Sequence, residues 1–207
     1  MMRQRRVLIL AVALAGAVLA SAGCNSNKVS SSPSPRRDTE LARRENERAI
    51  QLTEKGKYAE AERVLRKAIA ADVMFGPARN NLGLVYYHQG KLYPAAWEFQ
   101  NAIKLMPHQP EPRNNLGLVL EKAGKMDDAE ASYRKAREME PDNPEYIGNL
   151  ARTKVRQGQR DDETRELLEE LVLKDSRPTW QDWAKLNLYR LARPPMEPAA
   201  TTQPAQE

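Results

Sequence analysis

Cys24, His88 and His108 are the only cysteine and histidines in the chain, so a metal centre or a soft nucleophilic site would have to draw on them. A metal site needs three or four ligands, and no such set can be built from these residues. The sequence also lacks a Gly-rich phosphate loop, a Gly-x-Ser-x-Gly elbow and a His-Glu-x-x-His helix. Carboxylates are abundant, but 29% of all residues are charged, and the acids read as solvent-facing partners of Lys and Arg. No catalytic residue, metal or cofactor is expected, and no enzyme. The directional chemistry that remains belongs to amides. Asn46, Asn80 and Asn114 stand 34 residues apart, and so do Asn81, Asn115 and Asn149. An amide donates and accepts at once, which suits the backbone of an extended peptide or a helix laid across it. The same amides could equally serve only to satisfy neighbouring backbone.

What positions these amides is a period. Gly56, Gly90, Gly124 and Gly158 are also spaced by 34 residues, and a fixed interval of this size signals an array of stacked units. With the glycine at position 15, the units run 42–75, 76–109, 110–143 and 144–177. Position 8 reads Ala49, Gly83, Gly117, Ala151, and position 24 reads Leu65, Phe99, Tyr133, Leu167. Small columns let two helices approach closely, and bulky columns fill the space beside them. Apolar residues at spacings of three and four predict helices over 39–55, 58–72, 77–89, 92–106, 111–123, 126–139, 145–157 and 160–174. Prolines fall at the joints, and Pro94 sits in a first turn, where its missing N–H is no loss. A ninth helix over 179–193 is expected to close the stack. Its Trp180 and Trp183 suit a lid on the core, with a ligand cage as the alternative.

The columns Leu82-Gly83-x-x-Tyr86, Gly90-x-x-x-x-Ala95, Phe99, Ala102 and Pro107, with Leu116, Gly117, Gly124, Ala129, Tyr133, Ala136 and Pro141 in the next unit, resemble the tetratricopeptide repeat. The resemblance covers residues 42–177. It implies an all-α fold, a right-handed α-solenoid of about four helix hairpins plus a C-terminal capping helix. The first and fourth units depart from the pattern at Glu45, Arg48, Lys154, Glu163 and Glu170; they are worn caps, or the fourth is a helical hairpin that only mimics the repeat. In the family the first helix of each pair lines a concave groove. Positions 2, 5, 6, 9, 12 and 13 share that helical face, which makes Asn46, Ile50, Asn80, Asn81, Leu84, Tyr87, His88, Asn114, Asn115, Leu118, Asn149 and Arg152 the candidate protein-binding residues. The Lys and Arg clamp with which some members hold a terminal carboxylate is missing, since Asn46, Ile50, Glu111 and Asn115 occupy its places.

At the amino end Arg3, Arg5 and Arg6 precede fourteen apolar residues, Val7 to Ala20. Residues 1–23 therefore read as a signal peptide, too short for a permanent membrane span. Leu19-Ala20-Ser21-Ala22-Gly23-Cys24 resembles the lipobox of bacterial lipoproteins, with Ser21 where Leu is usual; this implies lipidation at Cys24. The alternative is ordinary cleavage after Ala22 and a soluble periplasmic chain. Residues 24–38 then carry the anchor and a disordered tether, 39–193 the repeat domain, and 194–207 a disordered Pro/Ala/Gln tail. Asn25 in place of aspartate leans toward the outer membrane, facing the periplasm.

The net charge is +5, but residues 1–23 hold three arginines and no acid, leaving +2 on the processed chain. Basic runs are interleaved with acids, so nucleic acid is not an expected partner. The expectation is an exported, lipid-anchored scaffold that binds a segment of another envelope protein and assists assembly of a membrane-associated complex. Its layout is similar in general terms to the pilotins of type IV pili. Regulation of peptidoglycan enzymes or envelope proteases, or a structural homo-oligomer, are the alternatives.

Overall fold

A computed structural model describes residues 37–193. The signal peptide, Cys24, most of the tether and the tail 194–207 lie outside the described residues. Among the described residues every regular element is a helix: α1 (Thr39–Glu54), α2 (Tyr58–Ala71), α3 (Gly76–His88), α4 (Leu92–Leu105), α5 (Glu111–Lys122), α6 (Met126–Met139), α7 (Pro144–Arg156), α8 (Asp162–Lys174) and α9 (Pro178–Ala192). Each helix packs on the next in sequence, and α1 also meets α3, as α3 meets α5. The result is an all-α solenoid of four hairpins and one further helix.

The turn inside each hairpin is set by its glycine. Gly56, Gly90, Gly124 and Gly158 have φ of 70°, 76°, 77° and 75°, a left-handed conformation that costs residues with a Cβ. The following residue closes the helix end by donating its N–H five residues back, as Lys91 does to the Tyr86 carbonyl at 2.9 Å and Lys125 to that of Leu120 at 2.9 Å. This 6→1 bond stops the first helix and aims the second back along it. Pro77, Pro112, Pro144 and Pro178 sit in the first turns of α3, α5, α7 and α9, where a missing N–H is harmless. Asp38, Asn143 and Asp161 cap α1, α7 and α8 with their side chains.

The small and bulky columns interlock as geometry requires. Phe99 and Tyr133 are fully buried, and a Cβ on Gly83 would lie 2.6 Å from the Phe99 ring, one on Gly117 2.5 Å from Tyr133. Where the partner is only a leucine, as at Leu65 and Leu167, the facing residue is Ala49 or Ala151, all four buried.

Lys154, which departs from the repeat pattern, is not a solvent-facing cap residue. It is 2% exposed, and its Nζ donates to Asp161 at 3.1 Å and Glu163 at 2.8 Å. Arg134 of the third repeat also binds Glu163, and Arg137 binds Glu170 at 2.9 Å. Lys154 and Glu163 thus answer one another within the last unit, and Glu163 and Glu170 also bind arginines of repeat three across the joint.

This arrangement predicts an acid limit to stability. Arg134 leads in holding Glu163 at about 2, Thr164 in holding Asp161 at about 2, and Arg37 in holding Asp72 at about 2. Carboxyls depressed in the folded state stabilise it fully above their unfolded value near 4, and lose that contribution as pH falls toward 2. Thermal melts are expected to be flat in pH above about 5 and to drop steeply between about 4 and 2. Glu163→Gln should flatten that drop.

Candidate functional site

The first helices α1, α3, α5 and α7 carry every residue expected to line a groove. Their amides do something more specific than line it. Asn81 Nδ2 donates to Asn46 Oδ1 at 2.8 Å, Asn115 to Asn80 at 3.0 Å, and Asn149 to Asn114 at 2.8 Å. Each bond spans 35 residues, joining position 6 of one repeat to position 5 of the repeat before. Asn114 passes its own Nδ2 to Glu145 at 2.9 Å. The assignment of Asn46, Asn114 and Asn149 to ligand contact is therefore corrected. They are 7%, 2% and 4% exposed and hold adjacent repeats together, because stacking places each donor opposite an acceptor that would otherwise be buried unpaired. Asn80, Asn81 and Asn115 keep an open side. Asn80 and Asn81 border a cleft of about 650 Å³ with Met106, His108 and Pro112 at the joint of repeats two and three.

The fourth repeat has Gly148 at position 5, and the ladder ends there against an aromatic ring. A Cβ on Gly148 would lie 3.2 Å from the Trp180 ring, and Trp180 meets Trp183 edge to face with centroids 5.7 Å apart. Both tryptophans pack against the core around Leu167, Leu168 and Leu171. Helix α9 thus packs on α8 and, through Trp180 and Trp183, covers the end of the core.

The floor of the groove is the column Ile50, Leu84, Leu118. Ile50 is 40% exposed, and Leu84, Tyr87 and Leu118 are half-buried. Ile50, Thr53, Asn81, Leu84, His88 and Tyr58 enclose a pocket of about 290 Å³. His88 stacks on Tyr58 at 5.3 Å with rings 11° apart, and Lys122 Nζ lies 4.7 Å from the Tyr87 ring centre. Tyr58 comes from a second helix and was missed by the sequence reading. Its column reads Tyr58, Leu92, Met126, Arg160, with no pattern that could mark it.

Arg152 ends the column. Its Nε and Nη2 grip Glu121 at 3.1 and 2.8 Å, while Tyr133 donates its hydroxyl to the same carboxylate at 2.9 Å. Burial pushes the Glu121 carboxyl up, but Arg152, Tyr133 and Arg156 together hold the group below its usual range. Burial, then the Glu121 charge, raises the Tyr133 hydroxyl, so it stays a donor. The groove is apolar along repeats one to three and charged at the fourth.

Profiles described as tetratricopeptide repeat match residues 46–110, 95–144 and 120–186. The chain belongs to the tetratricopeptide repeat family. The last match takes in the fourth hairpin, which is a repeat by sequence and not only by shape. No curated protein matches the chain in sequence. Among solved structures, the protein from a functional characterization of Pseudomonas aeruginosa pilF is 18% identical, with a TM-score of 0.65, covering 73% of this chain and 68% of that one. The first tetratricopeptide domain of Spaghetti (RPAP3), bound to the HSP90 peptide SRMEEVD, is 21% identical with a TM-score of 0.58, covering 61% of this chain and 100% of that one. YrrB, a tetratricopeptide protein with an unusual peptide-binding site, is 22% identical with a TM-score of 0.59, covering 72% and 76%. At these identities the likeness is one of fold. Proteins of the family are in general non-catalytic scaffolds, and these neighbours include ones that bind peptide segments.

Proposed function

We propose that this tetratricopeptide protein is an exported adaptor, anchored through lipid on Cys24, whose groove holds a segment of another envelope protein during assembly of a membrane-associated complex. The observation that carries the groove reading is the partly open apolar column Ile50, Leu84, Leu118, with Tyr87 beside it. Side chains of this kind leave apolar area in water, and covering them with a partner's apolar residues is favourable by about 25 cal/mol per Å². Export and anchoring rest on the sequence: an arginine cluster, a fourteen-residue apolar run and a lipobox-like tract ending at Cys24. The outer membrane, facing the periplasm, is the location we favour.

Two measurements test the reading. Photo-crosslinkers at Leu84 and Leu118 in intact cells are expected to capture one envelope protein, identified by mass spectrometry. Capture of this chain alone would replace the adaptor by a homo-oligomer. Palmitate incorporation is expected in the natural chain and lost in Cys24→Ala; an unlabelled natural chain would remove the anchor and leave a soluble periplasmic adaptor.

A further inference from the structure

The carboxyl end of the groove differs from the rest in both shape and charge. Thr179, Trp180, Trp183 and Arg152 enclose a separate pocket of about 260 Å³, room for one large side chain. It exists because Gly148 takes the place of the position-5 asparagine and lets the Trp180 ring come down onto α7. Two guanidinium groups lie beside that ring, Arg152 at 5.4 Å and Arg177 at 5.2 Å from its centre.

Two arginines at this end share a single carboxylate. Glu121 accepts from both Arg152 and Arg156, so one carboxylate answers two guanidinium groups. Glu145 is bonded to Asn114, and Arg177 is matched by Asp175 with a further contribution from the Glu145 charge. The Arg152 side chain is 28% exposed and that of Arg156 49%. Only Nε and Nη2 of Arg152, and only Nη1 of Arg156, are used within the described residues. Each keeps N–H groups to offer a carboxylate.

We propose that this pocket is a specificity subsite for an acidic residue next to a bulky apolar or aromatic one. The apolar side chain fills the space against Trp180 and Trp183, and the carboxylate meets the open N–H groups of Arg152 and Arg156. The subsite extends the groove reading above and deepens it: the captured segment places such a pair at its end over the fourth repeat. Arginine in the column otherwise held by Ile50, Leu84 and Leu118 is the residue that makes this end selective.

The test uses dipeptide probes and the full chain labelled with 15N. Ac-Asp-Phe-NH2 is expected to shift the indole N–H signals of Trp180 and Trp183 in a saturable way and to leave Trp97 unmoved. Trp97 is 55% exposed on the outer helix α4, so it serves as the internal control. Ac-Lys-Phe-NH2 and Ac-Asp-Ala-NH2 should bind at least about tenfold more weakly, a difference of about 1.4 kcal/mol. Arg152→Leu should erase the preference for Asp over Lys, and Arg152→Lys should keep most of it. Both variants are checked for an unchanged helical spectrum. Equal binding of the Asp and Lys probes, or no movement of Trp180 and Trp183 beyond that of Trp97, overturns the subsite. Failure of the wider groove reading shows separately, as loss of crosslinking at Leu84 and Leu118 in the first three repeats.

Discussion

Gly83→Ala lowers the stability of the stack by about 1–3 kcal/mol, and Phe99→Leu in the same chain restores part of the loss. The added methyl group lies 2.6 Å from a ring carbon of Phe99, inside van der Waals contact. The ring is 0% exposed and walled by α3 and α4, so it has nowhere to turn. Phe99→Leu alone leaves a void and costs on the order of 1 kcal/mol. Together the two changes recreate the Ala–Leu pairing that the first and fourth repeats use at Ala49/Leu65 and Ala151/Leu167. Urea melts of the four proteins should give a coupling of about 1 kcal/mol or more in favour of the double variant. Additive losses would mean that α3 and α4 separate enough to absorb the methyl group. Gly117 and Tyr133 offer the same geometry but a poorer experiment, because Tyr133 also holds Glu121.

The second large effect is expected at Asn114. Asn114→Ala removes the acceptor of Asn149 and one donor to Glu145 in a single step. Asn149 is 4% exposed, so its amide is left with an unpaired donor away from water, at a cost of about 1–3 kcal/mol. Asn80→Ala removes the acceptor of Asn115 in the same way, yet Asn115 is only half-buried and can turn to solvent, so the loss should be under about 1 kcal/mol. Differential scanning calorimetry of the two variants decides the matter. If Asn114→Ala melts like the natural chain while crosslinking from Leu118 falls, the amides belong to the ligand and not to the stack.

These two positions show how far the sequence reaches. Gly83 beside Phe99 was readable because a solenoid repeats its packing problem, and each repeat answers it in the same column. Four answers with Gly or Ala at position 8 and a bulky residue at position 24 identify a close contact before any coordinate is known. The same periodicity put the amides on one face, which is where they are. It could not say whether they face outward, since positions 5 and 6 serve a neighbouring repeat and a ligand equally well. The deciding fact is the 35-residue offset between donor and acceptor, which brings two columns into register only when one first helix lies against the next.

The departures were harder still. Glu163 and Lys154 look like decay when each is compared with its own column, and become a matched pair only when the α7–α8 turn brings them within 2.8 Å. Gly148 stands where the other three repeats have asparagine. In the stack it is the gap into which Trp180 settles.

By itself the sequence determined the period, the helical pairs, the glycine turns and the face on which the first helices present their amides, because these are local or repeat every 34 residues. The tertiary structure alone decided which of those amides are sealed between repeats, which apolar residues stay open to a partner, and that Arg152 meets Trp180 at the end of the groove. Those outcomes depend on the rise and rotation from one repeat to the next, and no single column of residues records that step.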